Sequence, residues 1–371
     1  MENNVRASKI DSKSKRMHYI RIGILLAVIV LLVLIADNMV DSYLRRILNL
    51  CAIYTILGLS MNLVNGFTGL FSLGQAGFMA VGAYCVAVFT VPVEYREAMF
   101  YLEPQNPLIA NIELPFVAAL ILGGIVSAFF AFLIGFPVLR LKGDYLAIAT
   151  LGFSEIIRIV FTNTQTITNG ALGIKGIPTI NRLWWTFGIA ILVAIFMFLL
   201  IHSTYGRAFK AIREDEVAAE AMGISLFKHK ILSFTISGFL AGIGGGLFAA
   251  LLGTVDPKQF YFPLTYNFLL IIVLGGMGSI SGTIIAAFIV TAGLEWLRLL
   301  DEPHAIFGWN IPLFRPGLRM VIFSLLLMGI VLFWSRGIMG SQELSWEMVK
   351  SWPKKIQSIF RKKTAKGGAA N

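Results

Sequence analysis

Apolar residues run in blocks of about 20 along this chain, the length of a helix crossing the roughly 30 Å hydrocarbon core of a bilayer. The blocks cover residues 20–36, 47–65, 67–91, 115–139, 145–161, 184–201, 231–254, 266–274, 279–300 and 318–334. No water reaches backbone N–H and C=O groups in lipid, so each block must be helical to satisfy them internally. The expectation is an all-α polytopic membrane protein of about ten transmembrane helices, with 266–274 short for a span. Composition agrees, because 14% of the residues are charged and the mean hydropathy is +0.78, whereas a soluble globule carries ~25% charge.

The basic residues sort to one side. With a cytoplasmic N-terminus, ten spans leave residues 1–19, 140–144, 203–230 and 336–371 inside, and these segments hold twenty of the 31 Lys and Arg. That is the positive-inside bias. The run that follows Lys9, Lys13, Lys15 and Arg16 lacks a small-residue cleavage signature, so it reads as a retained span. The expected division is a basic cytoplasmic tail over 1–19, a transmembrane domain over 20–335 and a second basic cytoplasmic tail over 336–371. The net charge of +11 is concentrated in tails and short loops beside apolar spans, which sets nucleic acid aside as a partner. The C-terminal cluster Lys354, Lys355, Arg361, Lys362 and Lys363 reads as a solvated or headgroup-facing end. Cys51 and Cys85 both lie in apolar stretches, so they read as free buried thiols.

Residues 203–230, STYGRAFKAIREDEVAAEAMGISLFKHK, form the longest charged segment between two spans. Val217, Ala218, Ala221 and Met222 recur at helical spacing, Glu214 or Asp215 stands at the positive helix start, and Gly223 follows where a helix would end. The pattern predicts a short amphipathic helix outside the bilayer, offering a small apolar face to a soluble partner.

Glycine carries a further signal. Gly238, Gly242 and Gly246 lie four apart, the spacing that brings helix backbones close in lipid, and read as helix-packing positions. The stretch NLVNGFTGLFSLGQAGF differs, because Asn62, Asn65, Thr68, Ser72 and Gln75 join glycine at membrane depth. Irregular polar backbone is tolerated there only under protein cover or along a water-filled cavity. Two readings stay open for these five residues, lining of a translocation path or a structural turn.

Charge within the spans is sparse. Glu155 and Arg158, like Glu295 and Arg298, sit three apart near helix ends and read as neutralised pairs reaching toward the interface rather than a substrate gate. The four histidines lie at span ends or in loops, and the chain contains no HExxH, GxSxG or GxxxxGK[ST] pattern. No catalytic residue, metal site or nucleotide site of its own is expected. Any energy from ATP would be supplied through another chain.

Three motifs, LGLSMNLVNGFTGLFSLGQAGFMAVGAY, LRLKGDYLAIATLGFSEIIRI followed by TNGALGIKGIP, and GRAFKAIREDEVAAEAMGIS, resemble the M-type (LivM-like) permease subunits of branched-chain amino acid ABC importers. The resemblance covers about residues 49–335 in the family's order. It implies an ABC importer permease fold in which 203–230 is the coupling loop that docks in a groove of an ATPase. Arg213, Asp215, Glu216, Ala218, Ala219, Glu220 and Gly223 would be its ATPase-coupling positions. The loop reads EVAAEAMG, a departure from the EAA-x3-G form of many ABC permeases.

By the same resemblance the partners would be a second homologous permease, two ATP-binding cassette subunits and an extracytoplasmic binding protein, in a bacterial inner membrane. The cargo would be a branched-chain or related aliphatic amino acid, and no cofactor would be bound by this chain itself. Carriage of urea or short amides by the same kind of machine is an alternative. A stand-alone secondary transporter is another, and it would work without ATPase partners.

Overall fold

The computed structural model describes residues 31, 33–180 and 182–298, with short pieces at 305–306, 309–310, 321–322, 324–325, 328–329, 337–340 and 343. The N-terminal tail, the expected C-terminal tail apart from residues 337–340 and 343, and most of the expected spans 20–36 and 318–334 lie outside the described residues. Within them the chain is helical. Its main helices are α1 (Ser42–Asn62), α2 (Gln75–Thr90), α3 (Val93–Met99), α4 (Phe116–Val138), α5 (Asp144–Asn163), α6 (Leu183–His202), α7 (Thr204–Glu214), α8 (Glu216–Ala221), α9 (Leu226–Leu252), α10 (Pro263–Gly275) and α11 (Ile280–Leu297).

Six of these are long and apolar enough to cross a membrane among the described residues, or seven if α2 and α3, bent by 113° at their junction, count as one broken span. The described residues do not confirm the expected ten, and two of the expected blocks take a different form. The block 67–91 does not start as a helix: α1 runs on through a π turn at Leu63–Phe67, and residues 68–74 are irregular before α2 begins. Asn65, Thr68 and Ser72 bond locally to backbone there, the competition that keeps such residues out of helix interiors. The block 266–274 becomes the 13-residue α10, stopped by Gly276 at φ +107°. At 1.5 Å per residue it reaches only about 20 Å, short of a full crossing.

The centre of the bundle is α2, which is buried along nearly its whole length between α4 and α9. Small residues make that possible. A Cβ at Gly82 of α2 would overlap the carbonyl of Gly242 in α9, and one at Gly245 would overlap the carbonyl of Met79. Gly238 abuts Ala131, Gly242 abuts Ser127, and Gly246 faces Leu120 and Val86, so the four-residue stripe presses mainly on α4. Ser127 Oγ lies 2.9 Å from the Phe78 carbonyl and 2.8 Å from that of Gly238, joining the three helices with one hydroxyl. In lipid such close van der Waals contact and buried hydrogen bonding must hold helices together, since lipid tails are as apolar as leucine.

A second layer surrounds α1, which packs on α11, α9, α6 and α10. The outer faces of α4, α5 and α6 expose Phe129, Leu133, Ile148, Ile156, Leu192 and Leu199, an apolar surface suited to lipid. At the end away from α7 and α8, β1 (Ile174–Lys175) pairs antiparallel with β2 (Thr254–Val255). Arg96, buried in α3, donates to the carbonyls of Val91, Ile109, Ala110 and Ile112 and ties together the loop that follows the α2–α3 bend.

The glycine contacts give a direct test. Gly82→Leu is expected to destabilise the α2–α9 crossing by about 1–3 kcal/mol or more through overpacking, whereas Gly188, with no atom within 4 Å of an added Cβ, should accept alanine without loss. Thermal unfolding of the detergent-solubilised variants measures both, and equal midpoints would refute this packing.

Candidate functional site

The charged loop folds into two helices set at an angle to the bundle. Ser203 caps α7, its Oγ accepting from the Gly206 N–H, and α7 buries Phe209 and Ile212 against the bundle while its charged residues face away or along the surface. Asp215 then leaves helical geometry at φ −158° and caps α8, with Oδ1 accepting from the N–H of Val217 at 2.8 Å and of Ala218 at 3.1 Å. α8 closes with the Gly223 N–H on the Glu220 carbonyl and the Ile224 N–H on that of Ala219. This is the Schellman arrangement, which needs a left-handed residue, and Gly223 supplies it at φ +84°.

The seven expected coupling positions divide by direction. Ala218, Glu220 and Gly223 are exposed, together with Val217 at 77% and Met222 at 83% exposure. The other four are engaged within the chain. Ala219 is buried, Asp215 caps the helix, Glu216 Oε1 lies 2.5 Å from Nζ of the buried Lys230, and Arg213 Nη1 donates to the Gly66 carbonyl at 3.0 Å. α7 is thereby fastened to the π turn of α1, with Lys210 Nζ 5.9 Å from the centre of the Phe67 ring as a second attachment.

The five polar residues at membrane depth are all buried, and each is hydrogen-bonded. Asn62 is fully enclosed and makes three bonds to the α10–α11 turn: Nδ2 donates to Ser279 O (3.0 Å) and Thr283 Oγ1 (2.7 Å), and Oδ1 accepts from the Gly278 N–H (2.9 Å). Asn65 pairs with the backbone of Ser72 through both ends of its amide, at 3.1 and 3.3 Å, closing the irregular loop on itself. Thr68 donates to the Leu63 carbonyl at 2.9 Å, and Ser72 Oγ accepts from the Gly74 N–H at 3.4 Å. Gln75 donates to Ser60, which exchanges hydrogen bonds with Ser237 of α9. Their polar groups hold the break in α1 together and join it to a second break between α10 and α11.

The sequence pattern did not single out Lys230, Ser60, Ser237 or Glu343. Glu343 caps α11, accepting from the N–H groups of Ile280 (2.7 Å) and Ser281 (3.1 Å). Lone serines and an acid 62 or more residues away in sequence carry no local signal, and only the lysine followed by an apolar span could have been suspected. Glu155 and Arg158 form the expected pair at 2.7 Å, with Arg158 also 5.6 Å from the centre of the Tyr261 ring, while Glu295 and Arg298 sit 3.8 Å apart. At the opposite end of α1 a cavity of about 280 Å³ is lined by Ser42, Arg45, Arg46, Asn49, Thr179, Leu251 and Leu252.

Two consequences are measurable. Asn62→Leu leaves the Gly278 N–H buried without its acceptor and should cost about 1–3 kcal/mol in thermal unfolding. Glu216→Gln strands the Lys230 charge, whereas Lys230→Met removes it, so amides 217–222 should exchange hydrogen faster in the first variant than in the second. The reverse order would refute the ion pair as the anchor of α8.

A family described as the branched-chain amino acid transport system / permease component matches residues 43–334. The chain is 39% identical over 284 residues to the high-affinity branched-chain amino acid transport system permease protein LivM of Salmonella typhimurium, covering 67% of this chain and 62% of that protein. It is 38% identical over 290 residues to LivM of Escherichia coli, covering 69% and 64% respectively. A probable LivM of Methanocaldococcus jannaschii is 26% identical over 343 residues, covering 84% of this chain and 96% of its own. The matched region thus spans somewhat under two thirds of the length of the first two relatives. No solved structure matches the chain. The extent of the family match and the identity to these permeases place the protein: it is a multi-pass membrane chain belonging to the branched-chain amino acid transport permease family.

Proposed function

We propose that this chain is the membrane-spanning permease subunit of an ATP-driven importer for branched-chain or related aliphatic amino acids. The observation that carries the reading is α8, a helix capped at both ends, anchored from behind by Glu216 and Ala219, and presenting Val217 and Met222 to solvent. Two large apolar side chains held in water on a fixed, capped helix suit a partner that covers them. With no phosphate-binding motif in the sequence, an ATPase that receives α8 would supply the energy. The chain itself acts as a transport component rather than an enzyme.

The proposed assembly adds a second homologous permease, two ATP-binding cassette subunits and an extracytoplasmic binding protein, in a bacterial plasma membrane with both termini cytoplasmic. Residues 20–335 then form the permease domain between the two tails. Motion of α8 would switch the bundle between outward-open and inward-open states, a change of populations that needs only differential binding to the two states. The Arg46 side chain at the cavity opposite α8 suits the carboxylate of an arriving zwitterion, with Leu251 and Leu252 beside it for an aliphatic side chain. Selection among amino acids would rest mainly with the binding protein.

The test is a mild-detergent pull-down of the tagged chain from its native membrane, followed by uptake of labelled leucine into vesicles. Recovery of ATPase chains with ATP-dependent uptake supports the proposal, while uptake that persists without ATP or partners overturns it in favour of a secondary transporter. Gly223→Val forces a β-branched residue into left-handed geometry. It should lower ATPase recovery by about tenfold, the equivalent of roughly 1.4 kcal/mol, with membrane insertion unchanged.

A further inference from the structure

Arg213 stands where three parts of the molecule meet. Its Nη1 donates to the carbonyl of Gly66 in the π turn that breaks α1. Its stem runs against Gly69, where an added Cβ would lie 2.8 Å from Cγ, and its guanidinium against Gly278, where an added Cβ would lie 2.6 Å from Nη1. Any side chain at these two glycines would fill the slot. On the other side Nε and Nη2 hold Glu214 Oε1 at 3.1 and 2.6 Å, next to the Asp215 cap that starts α8.

The two membrane breaks are already bonded to each other through Asn62, which takes the Gly278 N–H and gives its amide protons to Ser279 and Thr283. Arg213 therefore links α8 to both breaks at once. Only a planar guanidinium reaches a carbonyl with one nitrogen while the others grip a carboxylate. Helix breaks and π turns are the places where a membrane bundle can change shape without unfolding its helices.

We infer that Arg213 is a positioning residue for transport: it carries displacement of α8 to the paired breaks at Gly66 and Gly278, and the partner that receives α8 does not touch it. The inference rests on the reading of α8 as the ATPase-docking element. It assigns Arg213 an internal role in place of the surface contact expected from its motif. The exposed Val217 and Met222 are left to make the docking contact.

The experiment uses the full chain co-expressed with its partner subunits and reconstituted into liposomes, comparing wild type with Arg213→Ala, Arg213→Lys and Gly278→Ala. ATPase recovered per permease, ATP hydrolysis and labelled leucine taken up per ATP are measured. Arg213→Ala should keep recovery and hydrolysis within about twofold and lose about tenfold or more in uptake per ATP, the size expected for a charge-assisted hydrogen bond. Arg213→Lys should recover part of that loss, and Gly278→Ala, which crowds the guanidinium while leaving its charge and also strains the break at φ +89°, should lose uptake per ATP at least as strongly.

Loss of ATPase recovery in Arg213→Ala would make Arg213 a partner contact and overturn the inference, as would unchanged uptake per ATP. If that variant fails to insert, the other two decide by the same criterion. A wild-type chain that recovers no ATPase defeats the functional reading itself, an outcome separate from either result on Arg213.

Discussion

The constraint on which the rest of this structure depends is the satisfaction of backbone polar groups away from water. A continuous helix meets it without help. Inside the bundle, two places among the described residues do not continue as helix, the π turn with the loop that follows α1 and the turn between α10 and α11. Unpaired groups at membrane depth cost several kcal/mol each, and side chains supply the missing partners. Asn62 serves the α10–α11 turn, Asn65 pairs with Ser72, and Thr68 reaches Leu63. The price of irregularity is thus met by three amide or hydroxyl side chains, and the two irregular segments become one bonded unit.

Around that unit the bundle is assembled by close approach rather than by large side chains. Glycine on α2 and α9 lets the two backbones touch, and Ser127 ties α4 to both. A bundle built this way is stiff along its helices. Its breaks are held by a handful of hydrogen bonds, and so they are the places where a small displacement can be accommodated.

The charged segment between α6 and α9 applies the same economy. Its six-residue helix is too short to hold itself together in water, yet Asp215, Gly223, Lys230 and the buried Ala219 fix it. The ion pair and the arginine bond look back toward the bundle, which leaves the apolar residues of α8 free on the surface. A polar back and an apolar front make a rigid probe from a segment that would otherwise be a charged loop.

Much of this was legible in the sequence. The apolar blocks called for a helical membrane protein because hydrocarbon admits little else, and the capping residues around α8 act through neighbours only two to five positions away. The family resemblance was legible for the same reason, since its three motifs are local strings. The count of spans was less so: block length does not reveal that residues 68–74 bond to their own backbone or that Gly276 stops α10 early. The direction of Arg213 and Glu216 was also hidden. Their residue types suit a partner surface as well as an internal bond, and the groups they meet, Gly66 and Lys230, lie 147 and 14 residues away. Hydropathy and local capping determined, from sequence alone, that the chain crosses a membrane and carries a short charged helix between two apolar ones. Only the tertiary structure decided which polar residues face inward, because that choice is made by contacts between segments far apart in the chain.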